Sequence, residues 1–92
     1  MIVNIKHKGL KRFFEKDDSQ RLPPDMADKI KAILARLHSA ETIEDMSMHS
    51  YKLHQLKGDR KGVWSVSVKK NWCITFRFEK ETAFEVNFED YH

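Results

Sequence analysis

Residues that can move protons or bind phosphate are concentrated in the last part of the chain. His54 and Lys57 lie three positions apart, and the sequence ends on Asp90, Tyr91 and His92. An imidazole titrates at about pH 6.5, and a lysine ammonium binds phosphate as a compact positive charge. None of the five has the spacing of a metal-binding motif. These residue types therefore predict acid–base chemistry at a phosphate without a metal ion.

Cleavage of RNA is one reaction that these groups can carry out. A base must remove the proton of a ribose 2′-OH, a cation must hold the charge that develops on the phosphorane, and an acid must protonate the leaving 5′-oxygen. Histidine can act in either proton-transfer role, and Tyr91 can stack on an unpaired base. Structural alternatives stay open at this point, since His54 can be a surface residue, Asp90 can cap the sheet and His92 can be a loose terminus. The remaining histidines have no motif spacing and are predicted to be surface residues: His7, His38 and His49.

Length and composition predict one domain over residues 1–92 with a modest core, because the chain has 92 residues of which 40% are hydrophobic and 34% charged. No apolar run approaches the roughly 20 residues of a membrane span, and no signal peptide is expected at the N-terminus. The single cysteine cannot form an internal disulfide, which fits a reducing compartment. We therefore expect a cytoplasmic protein without membrane contact.

Positive charge is distributed unevenly along the chain. The net charge is only +3, but the segment 52–70 contains six basic residues and a single acid, Asp59. A concentrated basic stretch is typical of a polyanion partner such as RNA, although lysines scattered on a solvated face would give the same pattern. The six basic residues are Lys52, Lys57, Arg60, Lys61, Lys69 and Lys70.

Hydrophobic periodicity predicts mainly helices in the first half of the chain. Met1–Ile5 is apolar enough for a first strand, and Lys6–Lys16 has the spacing of a short amphipathic helix. A longer helix is predicted to begin at Pro23-Pro24, because proline is tolerated in a first turn. The sequence Thr42–Asp45 resembles a capping box and predicts a short third helix around residues 42 to 48. The apolar stripe of the long helix consists of Met26, Ile30, Ile33, Leu34 and Leu37.

The period of the hydrophobic pattern changes to two after Tyr51. Alternation predicts strands at Trp64–Val68, Trp72–Phe78 and Phe84–Phe88, with Tyr51–Leu56 as a fourth, less regular strand. Short polar connections are typical of antiparallel hairpins. Helices followed by a β-meander predict an α+β fold with the helices packed on one face of a mainly antiparallel sheet. The alternation places five side chains on the polar face: Ser65, Ser67, Cys73, Thr75 and Arg77.

Short motifs over essentially the whole chain resemble those of the HigB toxins, a branch of the RelE-like toxin superfamily. The resemblance includes the long helix, the chain length and the segment Lys6-His7-Lys8-Gly9-Leu10. The other motifs that carry it are Tyr51-Lys52-Leu53-His54, Leu56-Lys57-Gly58-Asp59-Arg60, Gly62, Trp64-Ser65, Asn71-Trp72, Ile74-Thr75-Phe76 and Glu89-Asp90-Tyr91-His92.

The resemblance implies a RelE-like fold and the toxin of a type II toxin–antitoxin system. Such toxins enter the A site of the 70S ribosome and cleave the mRNA there without a metal or other cofactor, leaving a 2′,3′-cyclic phosphate and a 5′-OH. The implied protein partner is a HigA-like antitoxin, usually with a helix-turn-helix, through which the pair acts on operator DNA. Family roles carry over to five residues: His54, Lys57, Asp90, Tyr91 and His92. We expect a histidine or Asp90 as the base, Lys57 as the phosphate-binding cation and His92 as the acid. The residues predicted to bind RNA or ribosome are Lys52, Arg60, Lys61, Lys69, Lys70 and Arg77.

Cys73 departs from the family pattern, in which an arginine that contacts the scissile phosphate usually occupies this position. A thiol is neutral at about pH 7 and has no fork of N–H donors. Losing one preorganised charge stabiliser costs on the order of 10²–10³ in rate. Arg77 lies on the same face but roughly 13 Å away along the strand, too far to substitute fully. We therefore predict an attenuated or inactive toxin with an intact fold.

Two other functions remain open from the sequence. A catalytically inactive family member would still bind antitoxin or ribosome as a regulatory protein, because binding requires only helical and sheet surfaces. A small basic RNA-binding domain unrelated to toxins is the third candidate. The terminal Asp90-Tyr91-His92 argues against it, because a binding patch has no need of proton-transfer groups.

Overall fold

The computed structural model describes residues 1–90, which form two α-helices followed by a four-stranded antiparallel sheet. The helices are α1 (Lys8–Lys16) and α2 (Ala27–Ser39). The strands are β1 (His54–Gln55), β2 (Trp64–Lys69), β3 (Trp72–Glu79) and β4 (Thr82–Asp90), hydrogen-bonded in the order β1-β2-β3-β4. Short 3₁₀ turns connect them at Pro24–Met26, Ile43–Met46, His49–Tyr51 and Gly58–Arg60. The predicted α+β class and the β-meander are confirmed.

The helix α1 begins two residues later than the sequence predicts, at Lys8. His7 lies at its N-cap, where the ring nitrogen Nδ1 accepts a hydrogen bond of 3.0 Å from the backbone N–H of Leu10. His7 is also half-buried and packs edge-on against Phe88, with ring centroids 5.6 Å apart. The prediction that His7 is a surface residue is therefore wrong, and burial lowers the pKa of its imidazole.

The predicted apolar stripe of α2 is buried in the core. The residues Pro24–Met26 form a separate 3₁₀ turn before α2 rather than its first turn. The predicted third helix is a 3₁₀ turn at Ile43–Met46, and the capping box between Thr42 and Asp45 is present. The buried residues of the stripe are Met26, Ile30, Ile33, Leu34 and Leu37.

The N-terminal segment runs parallel to β4 without forming a regular strand. Isolated bridges pair Ile2 and Ile5 with that strand. Opposite them, Glu85 of β4 has a left-handed φ of 52°, and its N–H donates to the Asn4 side chain at 2.5 Å. The left-handed residue interrupts the ladder, so the predicted strand Met1–Ile5 is reduced to two bridges.

The first strand of the meander is also shorter than predicted. Lys52 adopts a left-handed φ of 48° at the end of the turn His49–Tyr51, and regular pairing starts only at His54. The predicted strand Tyr51–Leu56 therefore contains two paired residues.

Glu85 also forms a β-bulge that changes the faces of β4. Phe84 lies opposite Arg77, whereas Phe88 lies opposite Ile74. Directly opposed residues project to the same face, so the bulge separates Phe84 from Phe88. The prediction that these two side chains share a face is wrong.

One apolar cluster joins both helices to alternate residues of the sheet. Burial of this surface is the main stabilising term of the fold. Within residues 1–90, no helix is long and apolar enough to cross a bilayer. The completely buried apolar side chains, at 0% exposure, are Leu10, Ile30, Ile33, Leu37, Met46, Val66, Ile74, Phe76, Ala83 and Val86.

Candidate active site

Polar side chains of the sheet form two rows across neighbouring strands. In one row His54 of β1 lies opposite Ser65 of β2. In the next row Cys73 of β3 lies between Ser67 of β2 and Glu89 of β4. Because directly opposed residues project to one face, the register brings His54 and Cys73 to the same side of the sheet.

A cavity of about 210 Å³ opens beside these residues, at β1 and the β2–β3 hairpin. We call it the His54 cavity. Lys52 and Lys70 contribute positive charge, and serine hydroxyls and an amide contribute hydrogen-bond donors, so the cavity suits an anionic group such as a phosphate. Its lining residues are Lys52, His54, Ser65, Ser67, Lys70, Asn71, Trp72 and Cys73.

The imidazole of His54 is oriented by a backbone carbonyl. Its Nδ1 lies 3.0 Å from the carbonyl oxygen of Lys52. In a neutral ring this contact requires the proton on Nδ1, which leaves the lone pair on Nε2. Lys52 itself has a left-handed φ of 48°, a conformation that non-glycine residues adopt rarely. The unusual backbone therefore favours the tautomer that a general base needs.

Cys73 is buried, at 5% exposure, although it lies on the polar face. Burial is the main cause that raises the pKa of its thiol, and the neighbouring Ser65 hydroxyl opposes part of the rise. The Ser65 Oγ is buried as well and makes no well-formed hydrogen bond within residues 1–90. Since the thiol stays neutral at about pH 7, Cys73 brings no charge to the His54 cavity.

Asp90 lines a second cavity of about 270 Å³ at the end of β4. Lys70, Asn71 and Trp72 line both this cavity and the His54 cavity. Asp90 and His54 therefore lie in neighbouring cavities that share these three residues. Asp90 lies opposite Trp72 in the β3–β4 ladder, so it projects to the other face of the sheet from Cys73.

Three residues of the predicted catalytic set lie elsewhere or outside the described part of the chain. Lys57 is exposed and precedes the turn Gly58–Arg60, on the loop after β1, and it does not line the His54 cavity. Tyr91 and His92 lie outside the described residues.

Half of the cations predicted to bind RNA are held in ion pairs. Lys69 Nζ lies 2.6 Å from Asp25, and Arg77 Nε lies 2.8 Å from Glu85. Arg60 is held as well, by Glu89. Such pairing reduces the charge that these three present to a polyanion. The exposed cations of the set that form no ion pair within residues 1–90 are Lys52, Lys61 and Lys70.

Glu89 is the centre of a cluster of polar side chains that the sequence does not predict. The two terminal nitrogens of Arg60 donate to its two carboxylate oxygens at 2.7 and 2.6 Å, which is a bidentate fork. The Thr75 hydroxyl donates to the same carboxylate. Hydrogen bonds from Arg60, and then from Thr75, hold the pKa of Glu89 below its usual range, against the effect of burial.

The Glu89 cluster is expected to make the stability of the fold depend on pH. A carboxyl group with a lowered folded-state pKa stabilises the fold above its unfolded pKa and loses that contribution as the pH falls through the folded pKa. The ordinary pKa of a glutamate carboxyl group is 4.5, and we expect Tm to decrease as the pH is lowered below that value. The decrease should be smaller in Glu89→Gln, which thermal denaturation of both proteins across the acid range measures. Parallel curves for the two proteins would contradict this assignment.

Comparison with known proteins assigns the chain to a family. Residues 3–92 match the HigB-like toxin family, described as the RelE-like toxin of type II toxin-antitoxin system HigB. The chain therefore belongs to this family of RelE-like toxins, whose partner is an antitoxin. It is also 46% identical to Endoribonuclease HigB of Proteus vulgaris over 92 residues, which is the full length of both chains. The family predicted from the sequence motifs is confirmed.

Proposed function

We propose that this protein is a ribosome-dependent endoribonuclease that cleaves mRNA in the ribosomal A site. The observation that carries the proposal is the His54 cavity, in which an imidazole lies beside Lys52 and Lys70. A proton-transfer group next to positive charge is what cleavage of a phosphodiester requires. Membership of the toxin family and the name of the Proteus vulgaris relative support the same function.

The proposed reaction is metal-free attack of a ribose 2′-OH on the adjacent phosphorus. The Nε2 of His54 or the carboxylate of Asp90 removes the proton of the hydroxyl. Lys57 holds the charge of the phosphorane, and His92 protonates the leaving 5′-oxygen. Tyr91 stacks on a base of the message. The products carry a 2′,3′-cyclic phosphate and a 5′-OH, and the ribosome supplies the alignment that a free ribonuclease builds for itself.

The same proposal assigns the surfaces of the molecule. We infer that the two helices cover one face of the sheet in a single toxin domain over residues 1–92, and that the opposite face meets the message and the ribosome through Lys52, Lys61 and Lys70. A HigA-like antitoxin is the proposed partner in the cytoplasm, and operator DNA is reached only through it.

Cys73 is expected to attenuate this activity. The residue is buried and the pKa of its thiol is raised, so it contributes neither charge nor a fork of donors where the phosphate would bind. This neutrality also favours a second candidate function, in which the protein is a catalytically inactive member that binds antitoxin or ribosome and regulates the active pair.

Primer extension on a defined mRNA tests the proposal. Purified ribosomes are stalled with a known codon in the A site, and the protein is added to the complexes or to the same mRNA without ribosomes. We expect new 5′ ends within the A-site codon only when ribosomes are present, with a cyclic phosphate on the upstream product. Cleavage of free mRNA at an equal rate would show that the activity does not depend on the ribosome. Absence of cleavage by both this protein and Cys73→Arg, with intact antitoxin binding, would favour the inactive regulatory candidate.

A further inference from the structure

Arg60 brings a guanidinium from the loop after β1 to the polar face of the sheet. It ends the turn Gly58–Arg60, three residues after Lys57. Its fork reaches Glu89, which is 29 residues further along the chain. Glu89 lies directly opposite Cys73 in the β3–β4 ladder, and its carboxylate reaches toward Thr75. The fork therefore holds the guanidinium near enough for its charge to act on the Cys73 thiol.

The guanidinium of Arg60 has donors left after it binds Glu89. A guanidinium carries five N–H groups in one plane, and a bidentate fork uses two of them. The Arg60 side chain is 45% exposed, which leaves the group accessible to a second anion. Lys6 also acts on the Glu89 carboxylate through its charge, so two cations act on this acid.

The other arginine of this face lines the same cavity of about 110 Å³ as Arg60, but it is paired with a different carboxylate. Arg77 donates to Glu85 at 2.8 Å, at the β-bulge, and lies opposite Phe84 rather than in the row of Cys73. A guanidinium that binds an anion near Cys73 must therefore come from outside β3. The loop after β1 provides one, that of Arg60.

We propose that Arg60 is a further phosphate-binding residue of the active site, and that Glu89 is the positioning residue that holds its guanidinium beside Cys73. The ligand is a phosphate of single-stranded RNA, so the inference rests on the proposed function. The RNA phosphate accepts N–H bonds from the edge of Arg60 that Glu89 does not occupy. It lies at the cavity of about 110 Å³ that Arg60 lines with Lys6, Thr75 and Asn87, which is separate from the His54 cavity.

Binding of a non-cleavable RNA tests the role of Arg60. The probe is a short fluorescent single strand with 2′-O-methyl groups at every position, titrated by anisotropy over a range of salt concentrations. Arg60→Gln is made in the native protein and also in the Glu89→Gln protein, where the substitution leaves no unpaired carboxylate to repel RNA. Because Glu89 positions Arg60, the loss of RNA affinity should be smaller in the second background than in the first. We expect binding to weaken by about ten- to a hundredfold. The slope of log K against log salt should fall by about 0.7, the value for one phosphate contact with a single strand.

A matched ion pair far from the site provides the control. Arg12 Nε lies 2.9 Å from Asp18 beyond the end of α1. Arg12→Gln in the Asp18→Asn protein removes one arginine in the same way and should leave the salt slope unchanged. Arg60→Lys, which keeps the charge without the fork, is a milder variant if Arg60→Gln folds poorly. It should retain the slope while losing part of the affinity.

An unchanged salt slope in folded Arg60→Gln, with a lowered Tm, would overturn the proposal and leave Arg60 as a structural tie between the loop and β4. An equal loss of slope in the Arg12 variant would overturn it too, because the effect would then be one of general charge. The outcome is independent of catalysis. If Arg60→Gln reduces the salt slope but the protein cleaves no mRNA, the Arg60 site is supported and the endoribonuclease proposal fails. If the protein cleaves mRNA but Arg60→Gln leaves the salt slope unchanged, the endoribonuclease proposal is supported and the Arg60 site fails.

Discussion

Replacing Cys73 by arginine is expected to raise the rate of mRNA cleavage on the ribosome by on the order of 10²–10³. The native thiol is neutral and buried, at 5% exposure, so it offers no charge to a phosphorane. An arginine side chain at this position extends into the cavity of about 210 Å³, where the buried Ser65 hydroxyl can accept an N–H. Because Glu89 lies directly opposite, the new guanidinium also gains a carboxylate neighbour that orients it.

Three substitutions at one position separate charge from shape. Cys73→Gln adds length without charge and should leave the rate near that of the native protein. Cys73→Lys adds charge without a fork and should give an intermediate rate, since a lysine binds phosphate as a point charge. Single-turnover cleavage of a defined mRNA, with protein in excess over ribosomes, measures all four proteins, and Tm values show whether each one folds.

The attenuation hypothesis fails if the native protein cleaves as fast as Cys73→Arg. The phosphate-binding cations would then lie elsewhere, with Lys57 and Arg60 as the first residues to substitute. Lys57 is a candidate because it lies on an exposed loop that the ribosome-bound message can approach, although it does not line the cavity.

Alternation along the sequence was enough to predict β2 and β3 because apolar and polar residue types follow a period of two from Trp64 to Val68 and from Trp72 to Phe78. The same pattern failed in β4, since Phe84 continues the alternation although the left-handed Glu85 inserts an extra residue. A backbone φ leaves no mark on a hydrophobic pattern when the residue is not glycine. The bulge therefore could be found only in the folded chain.

The candidate site was predictable by residue type but not by contact. The sequence predicts His54 as a site residue because it is a histidine close to a lysine in a basic stretch. The structure brings it to the same cavity as Cys73. The fork between Arg60 and Glu89 depends on the register of three hairpin-linked strands and on the loop after β1, which no local pattern specifies. Arg60, which the sequence predicts to be an RNA-binding cation, is therefore one partner of an ion pair in the fold.

Replacing His54 by glutamine is expected to lower single-turnover cleavage by about 10²–10⁴, the usual contribution of a general acid or base. Glutamine can still donate an N–H to the Lys52 carbonyl, which His54 Nδ1 contacts at 3.0 Å, so the local backbone is retained. It cannot accept and hold a proton as imidazole does. The measurement is best made in the Cys73→Arg protein, where the expected signal is larger.

A second histidine and the neighbouring carboxylate make the assignment to His54 specific. His49 is exposed in the turn before β1 and does not line the cavity, so His49→Gln should cleave at the parent rate. If His54 is the base, His54→Gln loses more of the cleavage rate than Asp90→Asn does. Retention of the rate in His54→Gln together with its loss in Asp90→Asn would assign the role of base to Asp90. The Nε2 atom of His54 would then act as an N–H donor to the phosphate rather than as the acceptor of the 2′-OH proton.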